Sequence, residues 1–152
     1  KHIGVVIQSY LYRSESDIRH LGDAGANVRL VKGAYREPKS VAFADKKKVD
    51  DNFIHLAKRH RNKGCYTAIA THDERMIAAT KQFIQAHGIP HDQFEFQMLY
   101  GVRRDLRKQL TEEGYKVRVY TPYGEDWYPY FTRRIAERPA NAWFVLKGIL
   151  KR

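Results

Sequence analysis

The stretch "YTAIATHDERMIAATKQFIQAHG", Tyr66–Gly88, decides the fold. Its first six residues are a short apolar run that reads as a buried strand. The run stops at a polar Thr-His-Asp triplet, and an amphipathic helical pattern then continues to a terminal Gly88. One such strand-helix unit says little. Repetition of the unit along the whole chain says a great deal.

Upstream, "GVVIQSY" (4–10) reads as a strand and "SESDIRHLGDAG" (14–25) as a short helix with a Ser cap and a closing Gly. "VRLVKG" (28–33) is the second strand. After "REPKS" a long helix spans about 41–63, with Val49, Phe53 and Leu56 on one face. Downstream, "FEFQML" (94–99) is a strand, 102–113 a helix and "KVRVYT" (116–121) the fifth strand; a turn at "PYGED" leads to a last helix near 126–138. Strict alternation of this kind argues for an α/β fold with a parallel sheet of βα units. No G-x-G-x-x-G turn follows any strand, which disfavours a dinucleotide-binding Rossmann unit. The rhythm fits a (β/α)8 TIM-like barrel, whose complete form needs about 250 residues. The 152 residues are therefore expected to form one partial barrel domain over 1–152, the C-terminal five units of eight.

In such barrels chemistry gathers where strands end. Here those ends carry Gln8, "KGAY", "THD", "QMLYG" and "YTPYG", the polar, aromatic and glycine-containing parts of the chain. Arg29 stands inside an apolar strand, where a buried guanidinium needs an anionic partner. That partner is either a neighbouring acid such as Glu95 or a ligand. Lys32, Gly33 and Ala34 form a small-residue turn whose backbone can approach a ligand, such as a phosphate, closely. Thr71 and His72 open a helix, a position suited equally to capping and to anion binding. Gln8 and Gln97 are uncharged amides within strands. They suit the edge of a heterocycle, or a core amide satisfied by protein.

Lys and Arg number 28 against 17 Asp and Glu, a net charge of +11, which favours an anionic partner. The excess is spread over helices such as "DKKKVDDNFIHLAKRHRNK" and "GVRRDLRKQL", where a solvated basic face is the ordinary reading. No helix-turn-helix, RNA-binding sheet signature or zinc finger is present, so no nucleic-acid partner is expected. No apolar run approaches the ~20 residues of a membrane span. The sequence shows no G-x-S-x-G elbow and no H-E-x-x-H, and no metal site is expected; His87 and His91 flank a "GIP" turn that reads as a surface loop. Cys65, the single cysteine, precedes a strand at its N-terminal end and reads as structural.

One helix face stands out. In "YFTRRIAE" (130–137), Arg133 and Arg134 point roughly 100° apart, and Glu137 lies i+4 and i+3 from them, between the two. This is either a salt-bridged surface or a pair of guanidinium forks set for a small carboxylate.

Taken in order, "VVIQSYL", "VRLVKGAY", "AIATHD", "FEFQMLYG", "VRVYTPYG" and "YFTRRIAERPAN" resemble proline dehydrogenase, in its monofunctional bacterial form, over nearly the whole chain. The resemblance implies an FAD-dependent barrel enzyme that oxidises L-proline to 1-pyrroline-5-carboxylate and passes electrons to a membrane quinone. It implies a cytoplasmic enzyme, with peripheral association with the inner membrane. By the same resemblance Arg133 and Arg134 hold the proline carboxylate and Glu137 braces them. Tyr120, Tyr35 and Leu99 match positions around the proline ring. Gln8, Arg29, Lys32, Gly33, Ala34, Thr71, His72 and Gln97 match positions that contact FAD, with Arg29 on the flavin side. Arg36 stands where some members carry Trp, and the family's first-strand lysine and second-strand aspartate have no counterpart, so no catalytic residue is assigned. The alternative from another class is a non-catalytic barrel fragment that binds a nucleotide or polyanion.

Overall fold

The computed structural model describes residues 4–35, 37–121 and 123–125. Among them lie five strands and four α-helices in strict alternation: β1 (Gly4–Gln8), α1 (Ser14–Asp23), β2 (Asn27–Val31), α2 (Lys46–Asn62), β3 (Thr67–Ala70), α3 (Glu74–Ala86), β4 (Phe94–Leu99), α4 (Arg104–Glu112) and β5 (Val117–Tyr120). All neighbouring strands pair in parallel, in the order β1-β2-β3-β4-β5. Strand order follows chain order without reversal. A doubly wound sheet would reverse at a switch point, whereas an unreversed sheet is the wall of a barrel.

Side-chain alternation gives the sheet two different faces. Ile7, Val28, Leu30, Ile69, Phe94, Phe96 and Met98 point one way and form a single apolar cluster with α1 to α4 through Ile18, Phe53, Leu56, Met76, Ile84 and Leu110. Phe53, Leu56, Phe96 and Leu110 are wholly shielded from solvent. The helices therefore cover one face only. The opposite face, by register, carries Gln8 and Val31 as one pair, Arg29, Ala68 and Glu95 as one row, and Gln97 paired with Arg118.

Several local expectations need correction. Ser14 does not cap α1: Arg13 holds the N-cap position, and the Ser14 hydroxyl instead donates to the Gln8 carbonyl (2.5 Å), tying the helix start to the end of β1. Helix α2 begins at Lys46, not near 41, because the Asp45 side chain accepts the Lys47 N–H (2.8 Å) and closes the helix there. Residues before it form a loop in which Ala42 bridges to Leu11. A single 3-10 turn (His91–Gln93) precedes β4 and went unread in the sequence. The last helix expected near 126–138 lies outside the described residues.

Candidate functional site

The uncovered face is the inner side of a barrel wall, and such a wall curves inward. On it the Arg29 guanidinium on β2 lies 5.4 Å from the centre of the Tyr120 ring on β5. Arg29 Nε donates to Gln97 Oε1 (2.6 Å), and Gln97 Nε2 donates to Glu95 Oε1 (2.6 Å). The sequence left Arg29 between a carboxylate and a ligand. In the fold, an amide stands between it and Glu95.

Glu95 is fully buried and anchors this face. Arg118 grips it with two bonds, Nε to Oε1 (2.7 Å) and Nη2 to Oε2 (3.0 Å), and the Tyr66 hydroxyl donates to Oε2 (2.9 Å). Burial pushes the Glu95 carboxyl upward, but the hydrogen bonds from Arg118, Gln97 and Tyr66 outweigh it and hold the group below the usual carboxylate range. The Tyr66 phenol is pushed up to about 12 by burial and by that carboxylate. Glu95 is thus an anion that accepts and cannot donate. Arg118 and Tyr66 escaped the sequence reading. The period-2 pattern of "VRVY" held the signal, since Arg118 must share a face with Tyr120.

Beyond the strand ends, His72 Nε2 accepts the backbone N–H of Leu99 (2.9 Å). Burial, helped by the Arg103 charge, lowers the His72 pKa from 6.5 to about 4. The ring is therefore neutral at pH 7 with its proton on Nδ1. The bond also joins two expected site residues, one on the β3–α3 loop and one at the end of β4. Thr71 behaves as a turn residue, its hydroxyl accepting the Asp73 N–H (3.1 Å), and Asp73 caps α3 by accepting the Arg75 N–H (3.0 Å).

Lys32 is held by two carboxylates. Its Nζ lies 2.5 Å from Asp50 Oδ1 and 2.6 Å from Asp73 Oδ2. Asp50 also meets Lys46 (2.6 Å). Gly33 has φ +103°, and a Cβ there would run into the Tyr10 ring. Its glycine is thereby explained by protein packing. Tyr35 and Tyr120 are exposed, and Gln8, Ala34 and Leu99 are half-buried at or just beyond their strand ends. Arg133, Arg134 and Glu137 lie outside the described residues. Cys65 is buried and its thiol points at the Gly22 carbonyl, as a structural residue should. Among the described residues no group of three or more His, Cys, Asp or Glu side chains is arranged to hold a metal.

The sequence model of the proline dehydrogenase family matches residues 1–147. The chain belongs to the proline dehydrogenase family. It is 60% identical over 151 residues to a proline dehydrogenase of Deinococcus radiodurans, covering 99% of this chain and 49% of that protein. It is 59% identical over 150 residues to proline dehydrogenase 1 of Bacillus subtilis strain 168, covering 99% of this chain and 50% of that protein. The chain thus spans about half the length of these curated relatives. Among solved structures it resembles proline utilization A from Bdellovibrio bacteriovorus, crystallised after inactivation by N-propargylglycine, with a TM-score of 0.83 and 32% identity over 89% of this chain and 16% of that one. These neighbours agree with the α/β barrel-type fold drawn from the strand order.

Proposed function

We propose that this chain supplies one wall of the active site of a flavin-dependent proline dehydrogenase, which oxidises L-proline to 1-pyrroline-5-carboxylate and passes the electrons to a quinone. The observation that carries this reading is family membership over residues 1–147 together with a concave sheet face lined by Arg29, Gln97 and Glu95.

The donor set fits FAD. Arg29 brings a fixed cation onto the open face, Gln97 offers a second Nε2 hydrogen, and neutral His72 carries an Nδ1 proton at the strand ends. When bound, the flavin supplies the acceptor for the hydride that leaves the proline ring. Arg29 is suited to stabilising negative charge that develops on the cofactor side. Gln8 and Gln97 are suited to hydrogen-bonding a heterocycle edge, and the loop from Lys32 to Ala34, with Thr71, borders the same strand ends. Tyr35, Tyr120 and Leu99 are suited to enclosing an apolar ring and excluding water. Arg133 and Arg134, braced by Glu137, would bind the carboxylate of proline and orient its ring.

No helix among the described residues is long and apolar enough to cross a membrane. Delivery of electrons to a membrane quinone from a peripheral position is part of the same proposal. The test is a proline-dependent assay with the protein that carries this chain, purified in its coloured form. L-proline should drive reduction of an artificial quinone, and trapping of the imine product should match it in amount. A colourless protein that binds nucleotides without turning over proline would favour the non-catalytic reading.

A further inference from the structure

The hydrogen bonds that join Arg29, Gln97 and Glu95 run in one direction. An ionised carboxylate accepts and never donates, so Glu95 obliges Gln97 to turn its NH2 group toward it. The Gln97 oxygen is thereby left facing Arg29, and it takes the Nε–H of that residue at 2.6 Å. Had Glu95 been an amide, Gln97 could turn either way, and in one of the two its NH2 would oppose the Arg29 Nε–H. Arg118 and Tyr66 occupy the remaining lone pairs of Glu95, which fixes the carboxylate itself. We propose that Glu95 is a positioning residue of the site: by fixing the Gln97 amide it tethers Arg29 through Nε and keeps the rest of the guanidinium turned across the barrel toward Tyr120.

The inference rests on the flavin-side role given to Arg29 above, but its geometry can be tested without that role. Glu95 lies two residues before Gln97 on β4 and is joined to Arg29 through that amide. Its effect must pass through orientation. The Nε–H bond to a fixed amide limits the swing of the guanidinium, so its charge is placed before reaction, as preorganised electrostatic stabilisation requires. Arg118 sits on the far side of the carboxylate and balances its charge.

The experiment compares the holoprotein with E95Q, in which charge and direction are lost at constant shape, and with E95D, which keeps the charge but withdraws the oxygen from Gln97. Two quantities are measured: solvent exchange of the Arg29 Nε–H by 15N NMR, assigned with R29K, and the rate of flavin reduction by L-proline. Exchange should accelerate by about tenfold or more in both variants, the loss of one charge-assisted hydrogen bond. Flavin reduction should slow by about tenfold with the proline KM unchanged, a split that general loosening of the fold would not give. If E95Q fails to fold, E95D alone carries the comparison. Unchanged exchange and an unchanged reduction rate would overturn the proposal. If the protein holds no FAD, the functional reading fails, while the exchange of the Arg29 Nε–H still decides whether Glu95 positions Arg29.

Discussion

At the scale of single residues, His72 makes a pH-dependent claim. Its folded pKa of about 4 lies below the ordinary 6.5, so the unfolded chain binds the proton more readily between those values. Stability from this group is fully present above pH 6.5 and is lost as pH falls toward 4, by on the order of 3 kcal/mol. His72→Asn should flatten that part of the stability–pH curve, measured by urea titration at several pH values. An unchanged slope between pH 6.5 and 4 would show that the ring is not held neutral. The arginine pair makes a second claim: Arg133→Met or Arg134→Met should weaken proline binding by ~2–5 kcal/mol, read as a raised KM, while flavin content stays the same. Normal proline binding in both variants would remove the clamp. Residue identity was legible to different depths. Arg29 announced itself by standing in an apolar strand, because burial of a cation is costly. The amide between it and Glu95 was not legible, because register between distant strands depends on packing that one sequence does not print. Gly33 was read as a place where backbone can approach a ligand closely, and the fold adds a second reason for glycine there, the Tyr10 ring that a Cβ would meet.

At the scale of elements, strands and helices followed from periodicity, and errors fell at helix starts. Lys46 rather than Val41 begins α2: Asp45 is the one side-chain acceptor in "VAFADKKK", and it caps the helix there, a signal that apolar periodicity alone overlooks. The same scale gives Lys32 its measurable role. Its ammonium joins the end of β2 to the first turn of α2 through Asp50 and to the cap of α3 through Asp73. Burial raises both carboxyls, and Lys32, together with Lys46 at Asp50 and with the Arg75 N–H at Asp73, outweighs it and lowers them. Lys32→Met should destabilise the protein by about 2–3 kcal/mol, because Asp50 is left buried with Lys46 as its main partner. Denaturant unfolding checks this. A loss of FAD affinity at unchanged stability would instead make Lys32 a direct cofactor ligand.

At the scale of the whole molecule, the βα rhythm announced a parallel sheet, but a doubly wound sheet shares that rhythm, and it is the strand pairing that gives the unreversed order. The outer strands of the sheet are β1 and β5, and Val5, Val6 and Val119 on them are exposed. Unpaired strand edges of this kind invite association. Residues 1–152 expressed alone should therefore be oligomeric or poorly soluble and bind FAD weakly. Co-expression with the other half of a close relative should restore solubility and colour, checked by size-exclusion chromatography with absorbance in the visible range. A monomeric, flavin-bound and active 152-residue protein would contradict the barrel-wall assignment. The most direct test of the central claim is an anaerobic titration of the purified holoprotein with L-proline, followed in the visible flavin band. A site built as described predicts that L-proline bleaches the band and that readmitting a quinone restores it. A protein without flavin, or a flavin that L-proline leaves oxidised, would contradict the claim.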